Sequence, residues 1–398
     1  MLRALSLTLV LTALSLTAAA QAPLRERLLA VEDARDAGPA GVAVIKEALA
    51  SRDAGVRRVA VRAAGRFEQP QLLDLIVPAL TDADAGVRQE AANAAGQAAV
   101  GSDVVIAVHG RLLRRLQAEQ DPATWGVVAA TLGRLRYERS EHVSATESAM
   151  RRVLPPPASG AALRAGADAP VVNLQREAVL GAVKGFEALF RQSRKLLPPS
   201  SETIGQLRAS AILRVAGDDD VIVRVRRLAW AALTSAEAVD ASLVAAGLDD
   251  PDGEVRRLAL VAAGNAAALS GRDALLRRGL ADAHAPARYE ALRAWGRHLQ
   301  SEDCAPVTAA VNDADAHVAL LAIDLLGEGC PGGVAPVSML RALAEPMPTA
   351  PGAWHRAAHA AVALATASPD DGRDLLPRML AHATWQVRMY AARVAAAA

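Results

Sequence analysis

A short motif that recurs along the chain is the feature that most restricts its fold. Asp53-Ala-Gly-Val-Arg57-Arg-Val-Ala60 returns 31 residues later as Asp84-Ala-Gly-Val-Arg88-Gln-Glu-Ala91. The arginine position of this frame, which we call the column, recurs at Arg226, Arg256, Arg288 and Arg388, and more weakly at Ala319 and His355. Eight residues after the column, five copies carry a glycine: Gly65, Gly96, Gly264, Gly296 and Gly327. A repeat of this length predicts an array of stacked units, each unable to fold alone.

Each unit is predicted to be a pair of helices. In the second unit, residues 71–80 are apolar at helical spacing, residues 81–86 form an acidic turn, and Val87 begins a second amphipathic helix. Asp84 stands where an N-cap is expected, because its carboxylate can accept the free N–H groups of the helix start. Asp53, Asp252 and Asp315 occupy comparable places. The sequence therefore predicts an all-α fold.

Composition narrows the function classes. The formal net charge is +1, which argues against a general nucleic-acid binder, since such proteins carry a strong basic excess. Aromatic residues make up only 3% of the chain. This low value fits closely packed helices better than a large β-sandwich or barrel.

The Asp-x-x-Val-Arg-x-x-Ala pattern with its acidic turn resembles HEAT repeats, in particular the short bacterial HEAT-like repeats of the PBS-lyase type within the armadillo-type α-solenoids. The resemblance covers roughly residues 39–397 and is weakest near Trp125 and Gln175, where the Val-Arg pair is absent. It implies a right-handed α-α superhelix of about nine or ten helix pairs, whose second helices line a concave surface. Family members mostly bind proteins, and some act as lyases or carry a separate enzyme domain. The motif itself is structural and implies no catalytic residues.

Domain boundaries follow from the ends of the array. Residues 1–20 combine Arg3, an apolar run and Ala18-Ala19-Ala20, which predicts a secretory signal cleaved after Ala20 and hence a periplasmic or secreted protein. The alternatives are a retained membrane anchor or a buried helix. We expect a capping helix over residues 21–38 and the array over 39–398, with irregular units and an insertion around 138–202. The insertion includes Leu154–Pro170, which is either a plain surface loop or a binding loop.

Recognisable catalytic and metal motifs are few. The sequence contains no phosphate-binding loop, no G-x-S-x-G and no C-x-x-C. His355 and His359 have the spacing of a metal pair, but the glutamate of a zinc hydrolase is missing between them. Asp250–Glu254 starts like a calcium loop, yet the required Gly and Glu are replaced by Val255 and Val261. We therefore predict no catalytic residue, no metal site and no cofactor.

Cys304 and Cys330 are the only cysteines. Cys304 precedes the first helix of its predicted pair and Cys330 follows the second, so the two lie at neighbouring ends. An even number of cysteines in an exported protein favours a disulfide between them. Two free buried thiols are the alternative.

A candidate binding surface follows from numbering each second helix from the column. Positions +3, +6 and +7 are almost always Ala, Leu or Val and should point inward, whereas positions +1 and +5 lie one turn apart on the opposite face. Stacking should align these positions into one surface, which we call the ridge. Its candidate binding residues are Arg58, Arg62, Gln89, Asn93, Arg227, Arg257, Tyr289, Arg293, Arg356 and Arg393.

Arginine makes bidentate contacts with carboxylates, and Tyr and Arg are frequent interface anchors. We therefore expect the ridge to bind a protein or an extended acidic peptide on the concave face, while the acids stay in the turns. The simpler alternative is a solvated face that keeps an Ala-rich protein soluble. We expect the partner to be a protein and not a nucleic acid. We expect the chain itself to be a monomer and to have no membrane span once the signal is removed.

Two other functions remain open at this point. The array ends at Val394-Ala-Ala-Ala-Ala398 without a polar capping helix, which is compatible with the N-terminal regulatory or substrate-binding part of a longer exported enzyme, for example a peptidyl-prolyl isomerase. That idea rests on analogy. A bilin lyase would fit HEAT-like relatives but not a signal peptide.

Overall fold

The structure is a computed structural model that describes residues 23–34, 38–157, 175–214, 220–331, 336–350 and 352–398. The regular elements of these residues are helices, so the all-α fold class predicted from the sequence is confirmed. The predicted signal sequence and most of the Leu154–Pro170 loop lie outside the described residues. No helix among the described residues is long and apolar enough to cross a membrane.

The described residues form two compact units, which meet in sequence between residues 236 and 237. Unit 1 contains α1 (Leu24–Glu32), α2 (Gly38–Leu49), α3 (Ala54–Arg66), α4 (Leu73–Ile76), α5 (Ala85–Ala98), α6 (Ser102–Ala118), α7 (Pro122–Arg134), α8 (Ser140–Met150), α9 (Arg176–Ser193), α10 (Ser201–Ala211) and α11 (Asp220–Ser235). Short 3₁₀ turns at Pro70–Leu72 and Val77–Thr81 flank α4. After the first helix, α2 to α11 pack as five consecutive pairs.

Unit 2 contains α12 (Ala241–Leu248), α13 (Gly253–Asn265), α14 (Arg272–Leu280), α15 (Ala285–His298), α16 (Ala305–Ala310), α17 (Ala316–Gly327), α18 (Val337–Ala344), α19 (His355–Ala367), α20 (Pro369–Leu380) and α21 (Trp385–Ala397). These are again five pairs, and within each unit the second helix of one pair packs on the second helix of the next. The described part of the chain thus holds ten pairs, in agreement with the expected nine or ten.

The aspartates of the motif start the second helices, as predicted. Asp84 accepts the N–H of Val87 at 3.0 Å, and Asp252 accepts the N–H of Val255 at 3.0 Å. Asp53 and Asp315 cap α3 and α17 in the same way. An aspartate cap contributes about 1 kcal/mol to helix stability, so the acidic turns fix where each second helix begins.

The glycine column marks where consecutive second helices touch. A Cβ built on Gly65 would lie 2.6 Å from Cβ of Ala94, and one on Gly96 would lie 2.5 Å from Cγ2 of Thr131. Gly264 meets Ala294 in the same way in unit 2. Distances this short leave no room for a side chain, so glycine at this position allows neighbouring repeats to approach each other.

The tightest approach lies in the middle of unit 1, where the sequence motif is degenerate. A Cβ on Gly133 would stand 2.0 Å from the carbonyl oxygen of Gly185, and one on Gly181 would stand 2.1 Å from Cα of Gly126. Although the Val-Arg pair is absent here, paired glycines on α7 and α9 allow these two helices to stack closely. At the start of the described chain, α1 ends at Glu32 and α2 begins at Gly38, and the expected cap over residues 21–38 stays a prediction.

Candidate functional site

The column arginines form a ladder from one repeat to the next. In four repeats the Nε and Nη2 groups donate to both oxygens of a carboxylate in the following repeat, while Nη1 donates to two carbonyls of its own turn. We call this set the arginine ladder, and its pairs are Arg57–Asp82, Arg88–Glu119, Arg256–Asp282 and Arg288–Asp313, at N–O distances of 2.7–3.0 Å. These bidentate bonds hold the pKa of Asp82 and of Asp313 below the usual range. These four arginines are thus structural, since each binds a carboxylate within the fold.

Arg388 occupies the same column in α21 but lacks the carboxylate. Its Nη1 donates to the carbonyls of His382 and Ala383, at 2.7 and 2.9 Å, as every ladder arginine does in its own turn. Among the described residues, no acid lies within ion-pair distance of its guanidinium. Arg388 therefore shows the ladder geometry without the ladder's ion pair.

The ten predicted ridge residues are all exposed or half-buried, so each reaches solvent. In unit 1, the side chains of Arg62 and Asn93 line one cleft, with Arg58 and Gln89 one turn nearer the helix starts. In unit 2, Arg257 and Arg293 converge on one glutamate, whereas Arg356 donates to Asn312 and Arg393 lies over the Tyr390 ring. Tyr289 is half-buried, and Arg227, on α11 of unit 1, is half-buried as well.

Acids stand among the ridge arginines, which differs from the expectation that the turns carry them. Glu32 accepts two bonds from Arg62, at 2.7 and 2.9 Å, and one from Arg66 at 3.3 Å. Arg257 contacts both Glu254 and Glu290, and Arg293 also contacts Glu290. The Arg62 hydrogen bonds lower the pKa of Glu32. Most ridge cations are consequently neutralised within the fold, so the ridge is less polarised than the sequence indicated.

One open cleft lies on the second-helix side of unit 1. Its volume is about 700 Å³, and its walls come from α1, α3, α5 and α7; we call it the α1–α7 cleft. It is lined by Glu32, Arg62, Arg66, Asn93, Gln97 and Arg134, with Glu90 and Gly96 between them. A volume of this size lies in the range of ordinary ligand sites.

Arg134 differs from the other cations of the α1–α7 cleft. Its Nη2 donates to Oδ1 of Asn93 at 3.1 Å and to Oγ1 of Thr131 at 3.0 Å, and both acceptors are neutral. Protein atoms around the guanidinium reduce its hydration and lower its pKa, although an arginine keeps its charge in proteins. Within the described part of the chain, Arg134 has no carboxylate partner.

Sequence reasoning missed three residues of the α1–α7 cleft, although a signal for them exists. Arg66, Gln97 and Arg134 each stand nine residues after the column, at Arg57, Arg88 and Trp125. Positions +1, +5 and +9 are successive turns of one helix face. Extending the ridge by one turn would have found all three.

A second group of titratable side chains is buried in unit 1, away from the cleft. His109 on α6 is 4% exposed, stands edge-on to His142 and Tyr137, and shares a 3.1 Å hydrogen bond with Thr146. Burial, followed by the nearby His142, lowers the pKa of His109 to about 4. Burial raises the pKa of Tyr137 beyond its usual value. His109 and Tyr137 are therefore neutral packing elements at physiological pH.

In unit 2 the structure joins Cys304 and Cys330 by a disulfide, with their Cα atoms 5.4 Å apart. Cys304 lies at the start of α16 and Cys330 follows α17, which are the neighbouring ends of that helix pair. The adjacent Gln300 is 4% exposed and donates to the carbonyl of Gly329 at 2.7 Å. The end of α17 is therefore fixed to the start of α16 by a covalent bond, and to Gln300, which follows α15, by a hydrogen bond.

The metal-like spacings noted in the sequence correspond to other contacts. His359 shares a 2.7 Å contact with Asp324 through Nδ1 and a 2.9 Å hydrogen bond with the Tyr390 hydroxyl through Nε2, whereas His355 stacks on Trp354. Asp252, in the calcium-like stretch, caps α13. No group of three potential metal ligands occurs among the described residues.

Comparison with known proteins identifies the repeat type. Residues 42–133 match the family model described as HEAT repeats, so the resemblance inferred from the sequence is confirmed over that stretch. No curated protein matches the chain.

Among solved structures, the karyopherin Kap121p is 15% identical, with a TM-score of 0.49, over 93% of this chain and 42% of that one. Kap121p bound to Nup53p gives 15% identity and a TM-score of 0.47, over 91% of this chain and 41% of the other. An engineered protein is 17% identical, with a TM-score of 0.38, over 88% of this chain and 97% of its own. The chain therefore spans about two fifths of Kap121p. Identities this low say nothing about what the chain binds.

Proposed function

We propose that this chain, an array of HEAT-type helix pairs, is an exported scaffold for another protein. Its second helices form a concave face, and this face binds an extended acidic segment of the partner. The fold provides the scaffold, since stacked helix pairs present a long surface without a single enclosed pocket. The ridge provides side chains suited to contact with protein, because arginine and tyrosine are frequent anchors in interfaces.

The observation that carries this proposal is the α1–α7 cleft. It opens on the second-helix side of unit 1, and the ridge residues Arg62 and Asn93 line it. Its walls are polar and charged, with arginine, asparagine and glutamine donors directed at one space. A segment of extended chain offers carbonyl and carboxylate acceptors at short intervals, which such donors can satisfy.

Two features support export. Residues 1–20 have the composition of a secretory signal. The Cys304–Cys330 disulfide belongs to an oxidising compartment, since cytosolic thiols are usually kept reduced. Cell fractionation with N-terminal sequencing of the purified protein tests this part, and a cytosolic protein that starts at Met1 would contradict it.

Site-specific photo-crosslinking tests the binding face. A photoreactive side chain placed at Gln97, which is exposed in the α1–α7 cleft, should crosslink to a partner in living cells. The matched control is Gln71, which is also exposed but lies beside α4, the first helix of the same pair. We expect adducts from Gln97 and few from Gln71. Equal adducts from both positions, or adducts only from Gln71, would place the interface elsewhere.

A further inference from the structure

The charges of the α1–α7 cleft do not balance. Three arginines and two glutamates line it, which leaves one positive charge in excess. Arg62 and Arg66 share Glu32, and Glu90 lies 3.7 Å from Arg58 at the edge of the cleft. Each glutamate therefore already has an arginine within ion-pair distance, whereas Arg134 has no carboxylate partner among the described residues.

The donors of Arg134 are only partly used. Both of its hydrogen bonds come from Nη2, so Nε and Nη1 have no acceptor among the described residues. A guanidinium presents five N–H donors in a fixed plane. Four ladder arginines bind their acids through the edge formed by Nε and Nη2, and in Arg134 the Nη2 of this edge is already engaged. Nε and Nη1 of Arg134 therefore remain as two separate charged donors, each able to give one hydrogen bond to a carboxylate oxygen.

The position of Arg134 is fixed by the packing of α5 against α7. Gly96 meets Thr131 so closely that a Cβ would lie 2.5 Å from Cγ2. This contact brings Arg134, one turn after Thr131, within hydrogen-bond distance of Asn93. Gln97 is exposed beside them, and its amide has no hydrogen bond to any described residue. Arg134 is therefore a pre-positioned cation whose neighbours can add further donors.

We infer that Arg134 is the anchor of a carboxylate-binding subsite in the α1–α7 cleft, and that it takes the side chain of a glutamate or aspartate within an extended peptide. The inference rests on the proposed function and names the group that the cleft recognises. An internal side chain fits better than a chain terminus, because a cleft of about 700 Å³ has room for peptide on both sides of the carboxylate. Arg134 supplies the positive charge and a hydrogen bond from Nε or Nη1, and Asn93 and Gln97 supply amide donors beside it.

The test uses four forms of the full chain and two matched peptides. The peptides are acetylated and amidated so that they have no terminal charge; in one, glutamate alternates with serine, and in the other glutamine does. The proteins are wild type, Arg134→Met, Arg134→Lys and the control Arg136→Met. Arg136 is exposed, lies two residues after Arg134 and does not line the cleft. The Arg136→Met substitution therefore removes the same charge from the same region without changing the cleft.

Binding is measured by calorimetry at two salt concentrations. We expect wild type and Arg136→Met to prefer the glutamate peptide, and Arg134→Met to bind it about tenfold more weakly and to lose the preference. Arg134→Lys should fall between them, since lysine keeps the charge without the planar fork. Equal melting temperatures of Arg134→Met and wild type establish that the variant is folded, as expected for a side chain bonded only to neutral groups.

The remaining outcomes separate the two proposals. If the glutamate peptide binds wild type and Arg134→Met equally well, the subsite is wrong while binding of acidic peptides stands. If the preference for glutamate persists in Arg134→Met, another cation recognises the carboxylate. If neither peptide binds wild type, while Gln97 still crosslinks to a cellular partner, the carboxylate subsite is overturned and the binding face remains. A lack of both binding and crosslinks overturns the proposed function as well.

Discussion

The guanidinium of Arg256 holds both carboxylate oxygens of Asp282, 26 residues later in the next helix pair, at 2.7 and 2.8 Å. Both side chains are largely buried, with 17% and 8% of their surfaces exposed. The same arginine donates to the carbonyls of Asp250 and Pro251 in its own turn. One side chain thus joins a turn to its neighbour in the stack, which makes it a link between repeats.

We expect Arg256→Met to lower the free energy of unfolding by about 2 kcal/mol, because Asp282 would be left buried without its cation. Arg388→Met is the matched control: it removes the same backbone bonds but no ion pair. Its cost should be less than half as large. Urea denaturation followed by circular dichroism measures both. Equal losses would mean that the backbone bonds, and not the ladder ion pair, provide the stabilisation.

The glycine contacts predict opposite results for two alanine substitutions. Gly133→Ala should destabilise the protein by about 3 kcal/mol or more, because its Cβ would lie 2.0 Å from the Gly185 carbonyl oxygen and backbone would have to move. Gly110, inside α6, has only Arg114 Nη1 near its Cβ position, at 3.7 Å. Gly110→Ala should stabilise by up to about 1 kcal/mol through helix propensity. Thermal denaturation compares them, and similar melting temperatures for the two variants would contradict the stacking role of Gly133.

The buried His109 predicts a loss of stability in mild acid. Its pKa in the folded protein, about 4, lies below the usual 6.5, so between these values the unfolded chain binds a proton that the folded chain excludes. Stability is therefore complete above pH 6.5 and falls as the pH decreases toward 4. The expected loss is about 2 kcal/mol, since solvent screening reduces the full effect of the shift.

Replacing His109 by glutamine should flatten this pH dependence, because an amide can bond to Thr146 without titrating. His317→Gln is the control, since the His317 side chain is 87% exposed. The measurement is urea denaturation of the three proteins between pH 7 and pH 4. An unchanged slope in His109→Gln would assign the pH dependence to other groups.

The Cys304–Cys330 bond gives a chemical prediction. Denatured, unreduced protein should contain no titratable thiol, and reduction should reveal two. Reduction, or the double change Cys304→Ala and Cys330→Ala, should destabilise the protein by about 3 kcal/mol, since the bond closes a loop with a sequence separation of 26 residues. Two titratable thiols in the unreduced protein would show that the disulfide is absent, and would weaken the case for export.

Local features of the fold were predictable because their causes are local. Asp84 caps its helix through a neighbour three residues away, and the inward face of α5 follows from the spacing of Ala91, Ala94 and Ala95, all buried. The repeat period predicted the helix pairs, since each pair needs neighbours to bury its apolar face. The expected separation of charge, with arginines on the ridge and acids in the turns, did not hold. Glu90 and Glu290 were visible in the sequence at position +2, but their contacts with Arg58 and Arg257 depend on the neighbouring repeat.

The sequence by itself determined the helix pairs, their caps, the glycine column and the choice of an all-α repeat fold. Only the tertiary structure decided which charges meet. Arg57 finds Asp82 after 25 residues, whereas Arg88 finds Glu119 after 31, because consecutive repeats differ in length and each stacks at its own offset. Among the described residues, Arg388 and Arg134 have no carboxylate partner, whereas Arg62 binds Glu32. Helix periodicity is set by the backbone within a few residues, but pairing across repeats is set by how closely glycines such as Gly96 let two helices approach.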